Sequence, residues 1–253
     1  MPKPKVVFFD AGGTLFRPFP SVGAIYARVA GRHGVRVDAD QVEKVFHDKW
    51  HERNGMTSLA GLSSEKIERE WWFRMVREVF SGFSSSPAGS GRGSMDSPPA
   101  AAGNDGTPFD DFDAFFQELY DLFARAECWR LFDDSIPVLR RLQETGFRLG
   151  IISNWDHRLF AIVEQLGLSA YFECVTASSA VGTAKPGPRI FETALKAMRV
   201  AAAESLHVGD SLEDDYHGAS RAGMKAVLLD RQNKAYNGVV RIQTLQQLPE
   251  FLE

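Results

Sequence analysis

The two ends of the chain alternate short apolar runs with longer amphipathic segments. The apolar runs have the length of buried strands and lie at 6–9, 149–152, 174–176, 206–208 and 226–229. Hydrophobic residues that recur every three or four positions predict helices over 134–145, 157–166, 188–198 and 212–222. Strands that alternate with helices are typical of a parallel sheet covered on both faces. The pattern therefore predicts a doubly wound α/β fold around a parallel, Rossmann-like sheet.

The stretch after the first predicted strand has a purely helical pattern. Apolar positions at helical spacing predict helices over 21–34, 39–53, 63–80 and 109–127. We therefore expect an inserted all-helical domain of residues 17–129, between the two parts of an α/β domain at 1–16 and 130–253. Because such sheets bind ligands at the carboxyl ends of their strands, the helical domain is expected to cover that edge as a cap.

Residues 81–108 differ in composition from the rest of the helical stretch. They include seven Ser, six Gly and four Pro, and Phe83 is the only aromatic residue among them. Such a segment has too little apolar surface to offset the entropy of ordering the chain. We expect a flexible, low-complexity insertion there, and its role stays open.

Composition excludes several classes of protein. The 29 basic and 33 acidic residues give a net charge of −4, so no general affinity for nucleic acid or membranes is expected. No apolar stretch approaches the ~20 residues of a membrane helix, and the amino-terminal segment lacks the apolar core of a signal peptide. Cys128 and Cys174 are the only cysteines, which fits a reducing compartment. We expect a cytoplasmic globular protein whose oligomeric state stays open.

Polar residues follow four of the predicted strands at the point where each strand ends. They are Asp10, the pair Ser153 and Asn154, Lys185 in the loop after the third run, and Asp210. Because the carboxyl ends of parallel strands meet at one edge, we expect these side chains to lie close together. Carboxylates suit a hard cation such as Mg2+, and a lysine with backbone N–H groups suits a phosphoryl dianion. An aspartate beside both can act as a nucleophile, so the pattern predicts phosphoryl-transfer chemistry.

These segments resemble the haloacid dehalogenase-like hydrolases, in the branch whose helical cap follows the first strand. The matching segments are FFDAGGTL at 8–15, IISN at 151–154, AKPGPRIF at 184–191 and VGDS at 208–211. The resemblance implies a hydrolase that acts on a small phosphorylated molecule, with Mg2+ as its cofactor. It also implies that Asp10 is the nucleophile and that Lys185 neutralises charge on Asp10 and on the phosphate.

The resemblance implies further site residues. The Mg2+ ligands would be Asp10, the backbone carbonyl of Gly12, and Asp210. The phosphoryl group would be bound by Ser153, Asn154, Gly13 and Lys185. Asp215 and Thr14 would support the site without binding the metal or the phosphate directly. Asp215 would hold either Lys185 or the water shell of the metal. Asp214 is the less favoured holder of that role.

Position 12 departs from the pattern of the family. Phosphatases of the family carry a second aspartate two residues after the nucleophile, which protonates the leaving group and then activates water. That residue is Gly12 here. The loss of a positioned acid or base costs about 10²–10⁴ in rate. We therefore expect a weakened phosphohydrolase in which phosphorylated Asp10 accumulates, and a Gly12→Asp variant tests whether the missing aspartate is the cause.

Other functions stay open beside this one. Gly12 also fits a catalytically reduced protein that binds a phosphorylated ligand or serves a regulatory role. A dehalogenase is less favoured, because dehalogenases of the family carry an aromatic residue at this position and need no metal. A phosphonate-cleaving enzyme is less favoured as well, because no cap lysine stands out as the Schiff base it would need.

Several aromatic and histidine residues also have two interpretations. Trp50, Trp71 and Trp72 of the predicted cap either line a substrate pocket or pack its helices together. His207 lies inside an apolar run, which predicts a core histidine, and His157 is the alternative acid or base in place of the missing aspartate.

Overall fold

The computed structural model describes residues 3–59, 64–83, 106–234 and 236–252. It divides into two compact units. The first is formed mainly by the residues up to Arg17 and from Trp129 onward, and the second by most of the residues between them. Residues 84–105 of the predicted insertion lie outside the described residues, so that prediction stays untested.

The first unit is built on a parallel sheet. The strands of the described residues are β1 (Val6–Phe9), β2 (Phe16–Pro18), β3 (Trp129–Leu131), β4 (Arg148–Ser153), β5 (Cys174–Ala177), β6 (Ser205–Gly209), β7 (Lys225–Leu229) and β8 (Arg241–Ile242). Six of them form one sheet in the order β5-β4-β1-β6-β7-β8, and every neighbouring pair in it is parallel. This sheet confirms the predicted fold class. The pairing of β2 with β3 in a separate sheet is an addition that the apolar pattern does not predict.

Strand β1 lies at the centre of the sheet and is buried on both faces. Side chains alternate between the two faces of a strand, and the two cores follow that alternation. Val7 and Phe9 belong to one hydrophobic cluster, whereas Val6 and Phe8 belong to the other. A strand enclosed in this way has little freedom to shift, because a slip of one residue would exchange the two faces. The residue that follows β1 is therefore held in a fixed place.

Helices cover both faces of the sheet. They are α5 (Ser135–Glu144), α6 (Arg158–Gln165), α7 (Ser178–Val181), α8 (Pro188–Ala197) and α9 (Gly218–Arg221), with a π-helical turn at Leu212–His217. Residues of α5 and α6 pack in the cluster of Val7 and Phe9, and residues of α8 and α9 pack in the other. The single helix predicted over 212–222 is thus two segments of different pitch.

The second unit is helical and rich in aromatic contacts. Its helices are α1 (Val22–Arg32), α2 (Ala39–Glu52), α3 (Glu65–Phe80) and α4 (Phe112–Leu122). Each of Ser21, Asp38 and Asp111 caps the helix that follows it with its side chain, as such residues commonly do. Helix α4 ends earlier than predicted. Within the described residues, no helix has both the length and the apolar character needed to span a membrane.

The tryptophans of this unit contact one another. The ring centroids of Trp50 lie 5.9 Å from Trp71 and 5.8 Å from Trp72, and those of Trp71 and Trp72 lie 5.0 Å apart. Trp71 is buried, whereas the other two are half-buried. These contacts fit the interpretation that the three rings pack helices α2 and α3 together.

Candidate active site

The strand order brings three predicted site residues to one edge of the sheet. Asp10 directly follows β1, Ser153 ends β4, and Asp210 directly follows β6. Both β4 and β6 pair with β1 in parallel register, so their carboxyl ends flank that of β1. Asp10 continues the pairing, because its N–H donates to the carbonyl of Val208 at 2.9 Å. The nucleophile candidate is therefore fixed by backbone hydrogen bonds.

Asp10 is buried and is anchored through one carboxylate oxygen. The hydroxyl of Ser153 donates to Oδ1 of Asp10 at 2.9 Å, and Nζ of Lys185 donates to the same atom at 2.6 Å. Among the residues that the structure describes, Oδ2 of Asp10 receives no hydrogen bond. One oxygen thus orients the carboxylate while the other is left to react or to bind a cation.

Lys185 uses all three of its ammonium hydrogens within the protein. Besides Asp10, Nζ donates to Oδ1 of Asp215 at 2.6 Å and to the carbonyl of Ile152 at 3.0 Å. The side chain is 3% exposed. An ammonium group has three donors, and here each has an acceptor. Lys185 therefore holds Asp10 and Asp215 at fixed positions.

Asp215 accepts hydrogen bonds on both carboxylate oxygens. Nε2 of His207 lies 2.9 Å from Oδ1, and the N–H of Ser211 donates to Oδ2 at 3.0 Å. A Cβ on Gly209 would overlap the Asp215 carboxylate, so a glycine is needed there. Because both oxygens are engaged, Asp215 is better placed to hold Lys185 than to bind a metal. The backbone N–H of Asp214, by contrast, donates to Oγ of Ser211 at 3.1 Å.

His207 is buried, as its apolar sequence context predicts. Its Nδ1 has no hydrogen-bond partner among the described residues, whereas its Nε2 faces Asp215. Because an ionised carboxylate can only accept, Nε2 is the ring nitrogen that carries the hydrogen in this contact.

The charges of the buried trio perturb one another. Burial raises the pKa of Asp10, and the positive charge of Lys185 offsets only part of that effect. Burial alone would lower the pKa of Lys185, but the charges of Asp10 and Asp215 outweigh it and hold that pKa above its usual value. Burial likewise opposes ionisation of Asp215, but Lys185 and the hydrogen bond from His207 hold its pKa below the usual range. Lys185 is thus a permanent cation at neutral pH.

Asp210 completes an acidic cluster that Lys185 does not neutralise. Asp10, Asp210 and Asp215 each offer a carboxylate oxygen within 4.8 Å of the others. Asp210 is exposed as a residue, but its carboxyl group lies against Gly13, where a Cβ would overlap it. Burial of that group, followed by the charges of Asp10 and Asp215, raises the pKa of Asp210 to about 8. Three carboxylates facing one lysine, all with hard oxygen donors, fit a divalent cation such as Mg2+.

The raised pKa of Asp210 predicts how pH acts on the metal-free protein. A folded carboxyl with a pKa near 8 holds a proton that the unfolded chain releases near pH 4. Stability is therefore expected to fall as pH rises between these values. Thermal unfolding in EDTA from pH 5 to 8 should show a shallower decline for Asp210→Asn than for the wild type, and Mg2+ should stabilise the wild type more. Equal slopes, and equal stabilisation by Mg2+, would contradict this assignment.

Two of the predicted phosphate ligands have protein partners in the structure. Asn154 donates from Nδ2 to the carbonyl of Lys185 at 2.9 Å and accepts from the N–H of Lys185 at 2.8 Å. The Gly13 N–H donates to the carbonyl of Phe16 at 2.9 Å. Asn154 therefore positions the backbone of Lys185, and Gly13 provides room for Asp210. The hydroxyl of Thr14 is buried and has no partner among the described residues.

Gly12 lies under a tryptophan ring. A Cβ at this position would come within 2.7 Å of Cζ3 of Trp155, the residue that follows Asn154. The sequence does not reveal this contact, because 142 residues separate the two positions along the chain and the direction of the ring depends on packing. A side chain introduced by Gly12→Asp would therefore meet the ring, so this variant tests the missing aspartate only if the ring is also removed.

Arg231 is a site-supporting residue that the sequence prediction missed. Its guanidinium donates to the carbonyl of Thr14 at 2.9 Å and to both carboxylate oxygens of Asp134, at 2.9 and 3.0 Å. It also lies 3.9 Å from the ring centroid of Phe132. The loop that follows Asp10 is thus tied to the end of β7. Arg231 comes two residues after an apolar strand. The rule that polar residues just after a strand lie at the site edge of the sheet, here called the strand-end rule, could therefore have identified it.

Removing the guanidinium of Arg231 is expected to weaken the fold. Arg231→Met leaves the buried Asp134 without its ion-pair partner, so we expect a loss of about 1–3 kcal/mol in unfolding free energy. Arg231→Lys should recover only part, because an ammonium cannot reproduce the two parallel hydrogen bonds. Urea unfolding measures this effect, with the exposed Arg140→Met as control. The assignment is wrong if Arg231→Met unfolds at the same urea concentration as that control.

Comparisons with known proteins point in one direction. Residues 4–223 match the family model of the haloacid dehalogenase-like hydrolases. The chain is 32% identical over 225 residues to haloacid dehalogenase-like hydrolase domain-containing protein 3 of Mus musculus, covering 89% of this chain and 81% of that protein. Within the family, the motifs of the sequence predict a likeness to this group in particular, and the comparison confirms it.

Two further relatives differ in the activity that their names state. A stretch of 91 residues is 45% identical to glyceraldehyde 3-phosphate phosphatase of Pyrococcus abyssi, covering 36% of this chain and 38% of that protein. The solved structure of the L-2-haloacid dehalogenase RSc1362 superimposes with a TM-score of 0.70 at 25% identity, over 99% of both chains. Relatives of this chain are thus named for either reaction.

Proposed function

The chain belongs to the haloacid dehalogenase-like hydrolases, and from that premise we propose that it hydrolyses a small phosphorylated metabolite through a phosphorylated Asp10. The observation that carries the proposal is the carboxylate of Asp10. Ser153 and Lys185 hold one of its oxygens, and its carboxylate also belongs to the acidic cluster with Asp210 and Asp215. A carboxylate fixed in this way is oriented for attack before the substrate arrives.

The proposed reaction has two steps. In the first, Oδ2 of Asp10 attacks phosphorus, the bond to the oxygen of the leaving group breaks, and the leaving group departs with the bonding electrons. In the second, water attacks the same phosphorus, the bond to Oδ2 breaks, and inorganic phosphate is released while a proton passes to solvent. Ser153 and Lys185 orient Asp10 in both steps. The positive charge of Lys185 also stabilises the negatively charged groups around it.

The acidic cluster supports a role for Mg2+. Asp10, Asp210 and the backbone carbonyl of Gly12 are the groups that would hold it. A bound divalent cation supplies positive charge beside the transferred phosphoryl group. Asp215 would remain with Lys185, because its two oxygens are already engaged.

The same cluster favours phosphate over halide chemistry. The ionised form of Asp210 is unfavourable beside the charges of Asp10 and Asp215 unless a cation joins it, because no basic side chain of the described residues pairs with it. The family resemblance implies that dehalogenases work without a metal, whereas paired acidic positions such as Asp210 and Asp215 are expected of a metal-dependent member. The named phosphatase among the relatives supports the same choice.

A second candidate function rests on Gly12. Without an acid or base at this position, the protein would bind a phosphorylated ligand, or stay phosphorylated, and act through that state.

In either case we place the protein in the cytoplasm, because Cys128 and Cys174 are free thiols.

Phosphate release distinguishes these candidates. The protein would be mixed with acetyl phosphate and Mg2+, and in parallel with EDTA, and phosphate release would be followed for the wild type and for Asp10→Asn. Release that needs both Mg2+ and Asp10 supports the proposed hydrolase. Binding without release supports the ligand-binding candidate. Chloride release from 2-chloropropionate, with none from acetyl phosphate, would replace the proposal with a dehalogenase.

A further inference from the structure

The ring of Trp155 occupies the space into which a side chain at position 12 would project. A Cβ on Gly12 would lie 2.7 Å from Cζ3 and 3.3 Å from Cη2 of that ring. Real Cβ atoms do not approach other atoms as closely as the first of these distances, so a side chain and the ring cannot both stay in place. The six-membered edge of the indole therefore lies directly over the backbone at Gly12.

The ring is held in this position by its neighbours. Its centroid lies 5.6 Å from that of Phe16 and 5.2 Å from that of Trp129. The backbone N–H of Trp155 donates to Oγ of Ser178 at 3.1 Å, and its carbonyl accepts from the N–H of Ser179 at 3.2 Å. Trp155 is thus fixed at both backbone and ring. It cannot turn aside without breaking these aromatic contacts.

The backbone itself does not demand glycine at position 12. Gly13 has a φ of +79°, a conformation that favours glycine. The φ of Gly12 does not lie in this positive region. The obstacle to a side chain at position 12 is therefore the ring of Trp155. This difference makes the two glycines separable by mutation.

We propose that Trp155 determines specificity, by placing an apolar ring where an acid would otherwise meet the leaving group and so restricting the enzyme to acyl phosphates. This inference rests on the proposed function. A leaving group beside hydrocarbon receives no proton, so it must depart as a stable anion. A carboxylate, whose conjugate acid has a pKa near 4, does so readily, whereas an alkoxide does not. Mixed carboxylic–phosphoric anhydrides are therefore the substrate class that fits.

Stability measurements test the ring without any assay of activity. Gly12→Ala is expected to lower the Tm by roughly 2–4 °C, because its methyl group would overlap the ring. In a Trp155→Ala background the same change should have little effect, because the ring is gone. Equal effects in both backgrounds would overturn the steric part of the proposal. Trp155→Val replaces Trp155→Ala if the latter does not fold.

Activity measurements test the substrate class. Gly12→Asp combined with Trp155→Ala should hydrolyse ethyl phosphate about 10²-fold faster than the matched control, Gly12→Asn with Trp155→Ala, which has the same shape and no acid. With acetyl phosphate, the rate at which Asp10 becomes phosphorylated should differ little between the two, because that step needs no acid when the leaving group is a carboxylate. Gly12→Asp alone should gain much less on ethyl phosphate, since the ring obstructs its side chain.

Three results would overturn the inference. The first is a wild type that hydrolyses ethyl phosphate as fast as the acid-bearing double variant. The second is a single Gly12→Asp variant that equals the double variant, because the ring then excludes nothing. The third is an absence of phosphate release from either substrate, and of phosphorylated Asp10, in the wild type. That last result also removes the proposed function, whereas the first two leave it in place.

Discussion

Lys185→Met is expected to destabilise the protein by about 3–5 kcal/mol at neutral pH, the largest loss of stability predicted for a single substitution in the site. The side chains of Lys185, Asp10 and Asp215 are 3%, 9% and 2% exposed. Methionine keeps an unbranched side chain that is one atom shorter, and it removes the charge and three hydrogen bonds. Two buried carboxylates would then face each other with no cation between them, and such a state is strongly unfavourable.

The pH dependence of this loss has a definite sign. In the variant, the folded state favours protonated Asp10 and Asp215, so their pKa values lie above those of the unfolded chain. Stability is then present at low pH and is lost as pH rises. The deficit relative to the wild type should therefore be smaller at pH 4 than at pH 7. Urea unfolding at both values, with the exposed Lys196→Met as control, measures it. A deficit that does not change with pH would mean that lost packing is the cause.

Asp10→Asn is expected to reduce phosphate release by roughly 10⁴-fold or more, to the background rate. An amide oxygen can still accept hydrogen bonds from Ser153 and Lys185, so the fold should survive. The amide cannot serve as the attacking carboxylate, so the covalent intermediate cannot form. The loss should therefore lie in kcat, with the thermal midpoint close to that of the wild type.

A matched control makes this prediction specific. Asp40→Asn makes the same chemical change on an exposed turn of helix α2 and should leave phosphate release unchanged. Initial rates on acetyl phosphate measure both variants. If Asp10→Asn retained a tenth or more of the wild-type rate, Asp10 would not be the nucleophile.

The sequence pattern predicts those parts of the site that depend on strand order. Asp10 and Asp210 each follow a buried apolar run and Ser153 ends one, and parallel pairing then brings the three together. Nothing beyond the apolar runs and the strand-end rule is needed for that prediction. Lys185 is also correctly placed, although its loop lies beyond the edge strand β5.

The remaining features depend on contacts between distant parts of the chain. The ring over Gly12, the Arg231 contact to the loop after Asp10, and the clamp of Asn154 on the Lys185 backbone all join separate loops. A side chain's direction within a loop is set by its packing, and no periodicity along the chain encodes it. The π-helical turn at Leu212–His217 also depends on contacts that the periodicity does not encode. Ser211 caps this turn with its side chain, and the N–H of Ser211 donates to the Asp215 carboxylate.

Intact-mass spectrometry after rapid quenching tests the central claim most directly. The wild-type protein would be mixed with acetyl phosphate and Mg2+, quenched in acid at successive times, and digested to locate any modification. The account predicts the mass gain of one phosphoryl group, located on Asp10 and absent from Asp10→Asn. Because Gly12 offers no base for the second step, the gain should persist through turnover. Phosphate release from an unmodified wild type, or the same mass gain in Asp10→Asn, would contradict the account.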